Sequence, residues 1–151
     1  EILGSAGDWL GREMLGGKIL CHGDAGNYCG SGYRGGRKGV RGGEILVEGN
    51  VGDFCAECLF GGFVHVKGNA GIHAGCNMKG GKLLIEGDCL MPCGDMFDGE
   101  ATVFGHVTDF LPTFKEIGKV TEDGHVLVSF IGDVANRNAK GTLRVGSFER
   151  I

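Results

Sequence analysis

Short apolar runs, each opened by a glycine doublet and closed by a single glycine, recur along this chain every nineteen residues. The unit is plainest as Gly42-Gly43-Glu44-Ile45-Leu46-Val47-Glu48-Gly49-Asn50, then Gly61-Gly62-Phe63-Val64-His65-Val66-Lys67-Gly68-Asn69, then Gly80-Gly81-Lys82-Leu83-Leu84-Ile85-Glu86-Gly87-Asp88. Apolar side chains at every second position predict strands with one buried face. A fixed period of such strands predicts an all-β solenoid, in which each strand pairs with its equivalent one repeat on, about 4.8 Å away.

Aligned on the closing glycine, the repeats fall at Gly4, Gly23, Gly49, Gly68, Gly87 and Gly105, giving about five to six coils. Two columns are then expected to face inward: Ile19, Ile45, Val64, Leu83 and Ala101, and Ile2, Cys21, Val47, Val66, Ile85 and Val103. Between them an outward column reads Leu20, Leu46, His65, Leu84 and Thr102. Three leucines on an outer face predict that another chain, or the C-terminal segment of this one, covers it. In the turn half, Leu10, Cys29, Cys55, Ala74 and Cys93 align, followed by the small residues Gly11, Gly30, Ala56, Gly75 and Gly94. A further apolar column holds Met14, Leu59, Met78 and Phe97. Ser5, Asp24, Asn50, Asn69 and Asp88 follow the closing glycine, where a short polar side chain can bond nearby backbone.

The period breaks in three places. Between Gly23 and Gly49 the step is seven residues longer, and the insertion lies within Asn27 to Arg41, a glycine-rich stretch that carries Arg34, Arg37, Lys38 and Arg41. After Gly105 the repeat stops. Phe110-Leu111-Pro112-Thr113-Phe114 is expected to fold over the last coil, with strands at Val126–Phe130 and Gly141–Val145 joined by a polar loop through Asn136 to Lys140. Residues 1–106 therefore read as the repeats and 107–151 as a C-terminal capping segment of the same domain. At the other end Glu1-Ile2-Leu3 enters in mid-coil, so the repeats are expected to continue upstream or to abut a partner there.

Composition sharpens this picture at a few points. Thirty-two glycines in 151 residues, without a Gly-X-Y period, exclude collagen and demand fixed turns or close backbone approach. A net charge of −4 gives no reason to expect nucleic acid or an anionic membrane as partner, and no apolar run approaches transmembrane length. With no signal-peptide pattern, a cytoplasmic location is the expectation. Seven cysteines, an odd number, fit reduced thiols better than a disulfide framework.

The candidate chemistry divides into cysteines, rings and charges. Cys55-x-x-Cys58 and Cys89-x-x-x-Cys93 have spacings that could serve a metal or redox site, but Cys29, Cys55 and Cys93 share a column with Ala74, as buried small hydrophobes do. His73 shares a column with Trp9, Tyr28 and Phe54, which predicts ring stacking rather than coordination. Glu48, Lys67 and Glu86 form an alternating charge ladder across neighbouring strands. No residue is assigned to catalysis, to a cofactor or to a metal. The residues assigned to partner or anion contact are Arg34, Arg37, Lys38 and Arg41 of the insertion, and Leu20, Leu46 and Leu84 of the outer face. Glycine-freed backbone N–H groups and these cations could hold a phosphate or a polyglutamyl tail.

The closing glycine with Asx, the Gly-x-x-x-Gly turn and the doublet before each strand resemble the repeat shared by the C-type structural subunit of formylmethanofuran dehydrogenase and the C-terminal domain of the glutamate synthase large subunit. The insertion from Tyr33 to Gly43, the segment Leu111-Pro112-Thr113-Phe114, and the ending Phe130-Ile131-Gly132-Asp133-Val134 with Lys140-Gly141-Thr142-Leu143 favour the first branch. The resemblance implies a right-handed parallel β-helix acting as a non-catalytic structural subunit of a complex that interconverts CO2 plus methanofuran with formylmethanofuran, or of its formyltransferase/hydrolase counterpart. It implies partner subunits that carry a tungsten or molybdenum pterin, iron-sulfur clusters and a binuclear metal site, with none of these on this chain. It further implies an upstream half, and homo-oligomers if the chain stands alone. Two other readings stay open: a glutamate synthase domain linking catalytic domains, and a metal- or anion-binding protein that uses the cysteines or the basic loop.

Overall fold

The computed structural model describes residues 1–33 and 36–151. Nine strands form it: β1 (Lys18–Cys21), β2 (Glu44–Val47), β3 (Phe63–Val66), β4 (Lys79–Ile85), β5 (Cys89–Leu90), β6 (Asp98–Phe110), β7 (Lys115–Glu122), β8 (His125–Gly132) and β9 (Gly141–Arg150). They make one sheet in the order β1-β2-β3-β4-β6-β9-β8-β7, with β5 against β6. Pairing is parallel from β1 through β6 to β9, then antiparallel from β9 to β8 and from β8 to β7.

This corrects the expected architecture of a right-handed parallel β-helix closed by a C-terminal cap. The described residues make a single mixed nine-stranded sheet, and the tail joins the sheet rather than lying over an end. The reason lies in β9, whose Leu143 and Val145 continue the inward alternation and fall opposite Ala101 and Val103 of β6. The β7–β8 hairpin then completes the free edge of β9 through antiparallel pairing. Of the tail, β8 and β9 match the two strands expected, whereas β7 has no counterpart in the sequence reading.

What the period does specify is register. Ile19, Ile45, Val64, Leu83 and Ala101 pair in succession, as do Cys21, Val47, Val66, Ile85 and Val103. Nearly all of these side chains are buried, and they join the turn residues Cys29, Cys55, Ala74 and Met78 in one hydrophobic cluster. Contact between the two halves is close: a Cβ on Gly11 would sit 2.4 Å from Ile45 Cδ1, and one on Gly75 would sit 3.1 Å from Leu83 Cδ2. Both glycines also have positive φ, which excludes a side chain on a second ground. A second aromatic core binds the tail, where Phe110 lies 4.5 Å from Phe130 and 4.9 Å from Phe148 between centroids.

Outside the strands, the polar residue after each closing glycine ties one turn to the next. The Asp24 N–H donates to Ser5 Oγ, Asn50 to Asp24 Oδ1, Asn69 to Asn50 Oδ1, Asp88 to Asn69 Oδ1 and His106 to Asp88 Oδ1, all at 2.7–2.9 Å. A parallel ladder three residues on runs through Asp8, Asn27 and Asp53 to the Ile72 N–H.

Three column assignments in the last repeat are also corrected, those of Cys93, Gly94 and Phe97. The one-residue shortening of the last repeat falls between Asp88 and Leu90, because the Asp88 N–H still meets Asn69 whereas Leu90 already pairs with Ile72. Cys93 therefore shares the column of Gly75 and Ala56 rather than that of Cys55, and its Sγ packs over Gly75. One step on, Met96 takes the buried apolar place and Phe97 is 40% exposed. In the long repeat, Val40 fills that same apolar column, since the Phe60 N–H donates to Val40 O as the Lys79 N–H does to Leu59 O.

Candidate functional site

Two surfaces collect the side chains that could meet another molecule. The first is the outer face of the sheet, where Leu20, Leu46, His65 and Leu84 stand side by side and half-buried, since strand alternation turns them away from the core. Ion pairs border them: Lys18 with Glu44 and Lys82 with Glu100, each at 3.7 Å. Glu48 meets Lys67 at 3.8 Å as the expected ladder requires, but Glu86 accepts from His65 Nε2 at 2.7 Å instead of completing it. Thr102, at the far end of the column, is buried because Arg144 of β9 lies beside it in register. There the β7–β8 hairpin reaches over the face, His125 stacking on Phe104 at 4.1 Å, and a hollow of about 420 Å³ remains between Phe63, His65, Leu84, Thr102, Glu122 and Arg144. The C-terminal segment thus covers one end of the leucine column and leaves Leu20, Leu46 and Leu84 half-exposed.

The second surface lies on the turns. Trp9, Tyr28 and Phe54 stack in a row, with centroid separations of 4.2 and 5.3 Å, and His73 continues it at 5.1 Å from Phe54, tilted by 35°. Each takes a left-handed φ between 57° and 66°. That conformation is uncommon for bulky residues, and here it is held because each N–H donates to the carbonyl of the following turn. Its effect is to aim four rings to the same side at a constant spacing. His73 joins the row as its column predicts, but tilted against Phe54 rather than stacked on it.

The insertion folds beside this row. Arg34 lies outside the described residues. The other cations do not converge on a single anion site: Arg41 reaches Glu13 at 3.7 Å, Lys38 lies 4.8 Å over the ring of Phe60, and the Arg37 carbonyl accepts from Lys79 Nζ at 2.9 Å. Sequence reasoning missed Arg12 and Tyr33, which lock together. The Arg12 guanidinium lies 3.6 Å over the Tyr33 ring and donates to its hydroxyl at 2.7 Å. Between Tyr33 and the aromatic row is a cavity of about 260 Å³, lined also by Gly32, Gly36, Glu57 and Cys58. Glu57, likewise missed, has its carboxyl held above the ordinary range by burial, an effect partly offset by His73. No linear motif announces it, because its neighbours come from three different turns.

The cysteines behave as packing residues. All seven are free thiols, and all but Cys76 are buried. The hydrogen bond that the protonated Cys55 thiol makes to Cys29, together with burial, pushes Cys55 well up; burial raises Cys93 and Cys58, takes Cys89 up to about 12 and takes Cys76 up to about 11. A thiol held protonated is a poor ligand and a poor nucleophile. Among the described residues no group of three or more His, Cys, Asp or Glu side chains is placed to hold a metal ion, and no helix is long and apolar enough to cross a membrane.

No protein-family model matches the sequence, and no curated protein matches it. Among solved structures, the chain is similar to one in the crystal structure of the formyltransferase/hydrolase complex (FhcABCD) from Methylorubrum extorquens in complex with methylofuran, with a TM-score of 0.87 and 26% sequence identity. The match covers 95% of this chain and 61% of that one, so this chain spans about three fifths of its neighbour's length. The neighbour belongs to a formyltransferase/hydrolase complex and not to the dehydrogenase whose structural subunit the repeat resembles.

Proposed function

We propose that this chain is a non-catalytic structural subunit, or part of one, in a complex of several subunits that serves one-carbon metabolism by handling a formyl group on a furan-type carrier. The observation that carries the reading is the likeness over 95% of the chain to a formyltransferase/hydrolase complex. Both the hydrolase type and the formylmethanofuran dehydrogenase type fall within it. In the second, the tungsten or molybdenum pterin, the iron-sulfur clusters and the binuclear metal site belong to partner subunits.

The outer face supports the reading. A column of half-exposed leucines rimmed by ion pairs has the apolar centre and polar rim of a protein interface. The experiment is affinity purification of the tagged full chain from native extract, with co-purifying polypeptides identified and formyl transfer assayed in the eluate. Recovery of several stoichiometric partners together with formyl transfer supports the proposal. Recovery of the chain alone, or with partners that neither transfer nor hydrolyse formyl groups, overturns it.

A further inference from the structure

Strand β7 ends the sheet, and among the described residues no segment pairs along its outer edge. The other end is partly covered, since Ile2 bridges to Cys21 of β1. A bare edge carries a row of unpaired backbone N–H and C=O groups, and proteins blunt such edges with short strands, proline or charge. β7 is eight residues long and has no proline, and seven of its eight residues are exposed. Ile117 and Val120 are 61% and 38% exposed there, and the four charges, Lys115, Glu116, Lys119 and Glu122, are of both signs. The strand has one irregularity, a bulge at which Ile117 and Gly118 together stand opposite Ser129 of β8.

We infer that β7 pairs antiparallel with β7 of a second copy of this chain about a two-fold axis, Lys115 lying opposite the partner's Glu122 and Ile117 opposite the partner's Val120. The two-fold repeats each contact, so the edge would be matched by two Lys–Glu and two Ile–Val pairs. The faces agree with this register. Lys115, Val120 and Glu122 stand opposite Ile131, Leu127 and His125 of β8, and the bulge puts Ile117 on the same side through Ser129. Glu116 and Thr121, opposite Phe130 and Val126, share the other side and would meet each other. Only Gly118, opposite the partner's Lys119, falls out of phase, and a glycine has no side chain to misplace. Other registers are worse. Sliding one residue one way sets Glu116 against Glu122 and Lys119 against its own copy; sliding the other way sets Ile117 against Lys119 and leaves no apolar pair. Glu122 reaches Arg144 at only 3.8 Å and its side chain is 40% exposed, so its carboxylate can accept a second cation. This edge is distinct from the outer leucine face, and the inference does not depend on the reading proposed above.

The experiment is analytical ultracentrifugation of the full chain from roughly 10 µM to 1 mM at low salt, a range suited to a small interface. The expected result is a concentration-dependent dimer, weakened about tenfold or more by Ile117→Lys. Lys115→Glu and Glu122→Lys should each weaken self-association about fivefold, and an equimolar mixture of the two variants should recover the parent's, because each Lys–Glu contact is then restored across the axis. Unchanged urea midpoints verify that the variants are folded. A chain that stays monomeric to about 1 mM overturns the inference. So does a dimer that Ile117→Lys leaves intact, a mixture that associates no better than its components, or a dimer dispersed by Leu46→Glu with Leu84→Glu, which would assign it to the leucine face.

Discussion

Gly68→Ala tests why the chain needs glycine at its closing positions. Gly68 does not have positive φ, so a methyl group there meets no dihedral objection. The objection is contact: a Cβ would sit 2.3 Å from Asn50 Oδ1, 2.5 Å from the Gly49 carbonyl oxygen and 2.8 Å from the Gly49 carbonyl carbon. Two of these are backbone atoms and cannot rotate away. Relieving the clash pushes apart the Gly68 N–H and Gly49 carbonyl, now 2.9 Å apart, and swings Asn50 off the Asn69 N–H, also at 2.9 Å. A lost hydrogen bond costs about 0.5–1.5 kcal/mol and forced overpacking about 1–3 kcal/mol, so the expected loss is about 2–4 kcal/mol. For a domain of this length that corresponds to roughly 5–15 °C in Tm.

The assay is urea unfolding with linear extrapolation, with Gly16→Ala as the control. Nothing lies within 4 Å of a Cβ on Gly16 and its φ is not positive, so that change is expected to be neutral or to stabilise by about 0.4–1 kcal/mol. Adding Asn50→Ala to Gly68→Ala removes one clashing atom, and the pair should cost less than the sum of the two single changes by about 0.5–1 kcal/mol. A Gly68→Ala chain within about 0.5 kcal/mol of the parent would refute the contact argument and leave the glycine period without a steric cause.

Three further outcomes follow from the titratable groups and the sheet. Cys89 and Cys76 should resist alkylation by iodoacetamide at pH 8 in the folded chain and react readily once it is unfolded in urea; equal rates in the two states would contradict the burial of Cys89 and the raised pKa of both thiols. Because those thiols hold their protons above the unfolded value, folded stability should fall as pH rises from about 9 toward 12, read by the urea midpoint; a flat profile contradicts the assignment. His22 lies between Glu1, at 2.6 Å, and Glu48, and its hydrogen bonds to both raise its pKa. The stability this gives is present below the unfolded value near 6.5 and lost as pH rises through the folded one, so the His22 ring signals should titrate above 6.5, and Glu48→Gln should lower that midpoint.

Much of the molecule is legible in the pattern because parallel pairing at a fixed step converts sequence spacing into neighbours. That is why the inward columns through Ile45 and Val47, the aromatic row through Tyr28 and the outward leucines can be read from spacing alone. Three things resist such reading, each for a physical reason. Asp88-Cys89-Leu90 offers small or apolar side chains in either phase, so the position of the one-residue shortening is fixed only by hydrogen bonds, and Cys93 and Met96 move with it. Alternation identifies β9 as a strand but does not choose its edge, and its parallel place beside β6 makes the sheet mixed. The cavity beside the aromatic row draws Trp9, Tyr33 and Glu57 from separate turns, and the ring of Tyr33 gives no periodic signal in an insertion dominated by glycine and charge.

The role proposed for this chain is to dock into a formyl-handling complex through its outer leucine face. Its most direct test is the doubly substituted chain Leu46→Glu with Leu84→Glu, carried through the same native purification as the parent. Both side chains are half-exposed on the outer face, and an unchanged urea midpoint checks that the substituted chain is folded. The account predicts that it emerges folded and without the partner subunits and formyl transfer that accompany the parent. A folded double variant that still carries the full set of partners would contradict it.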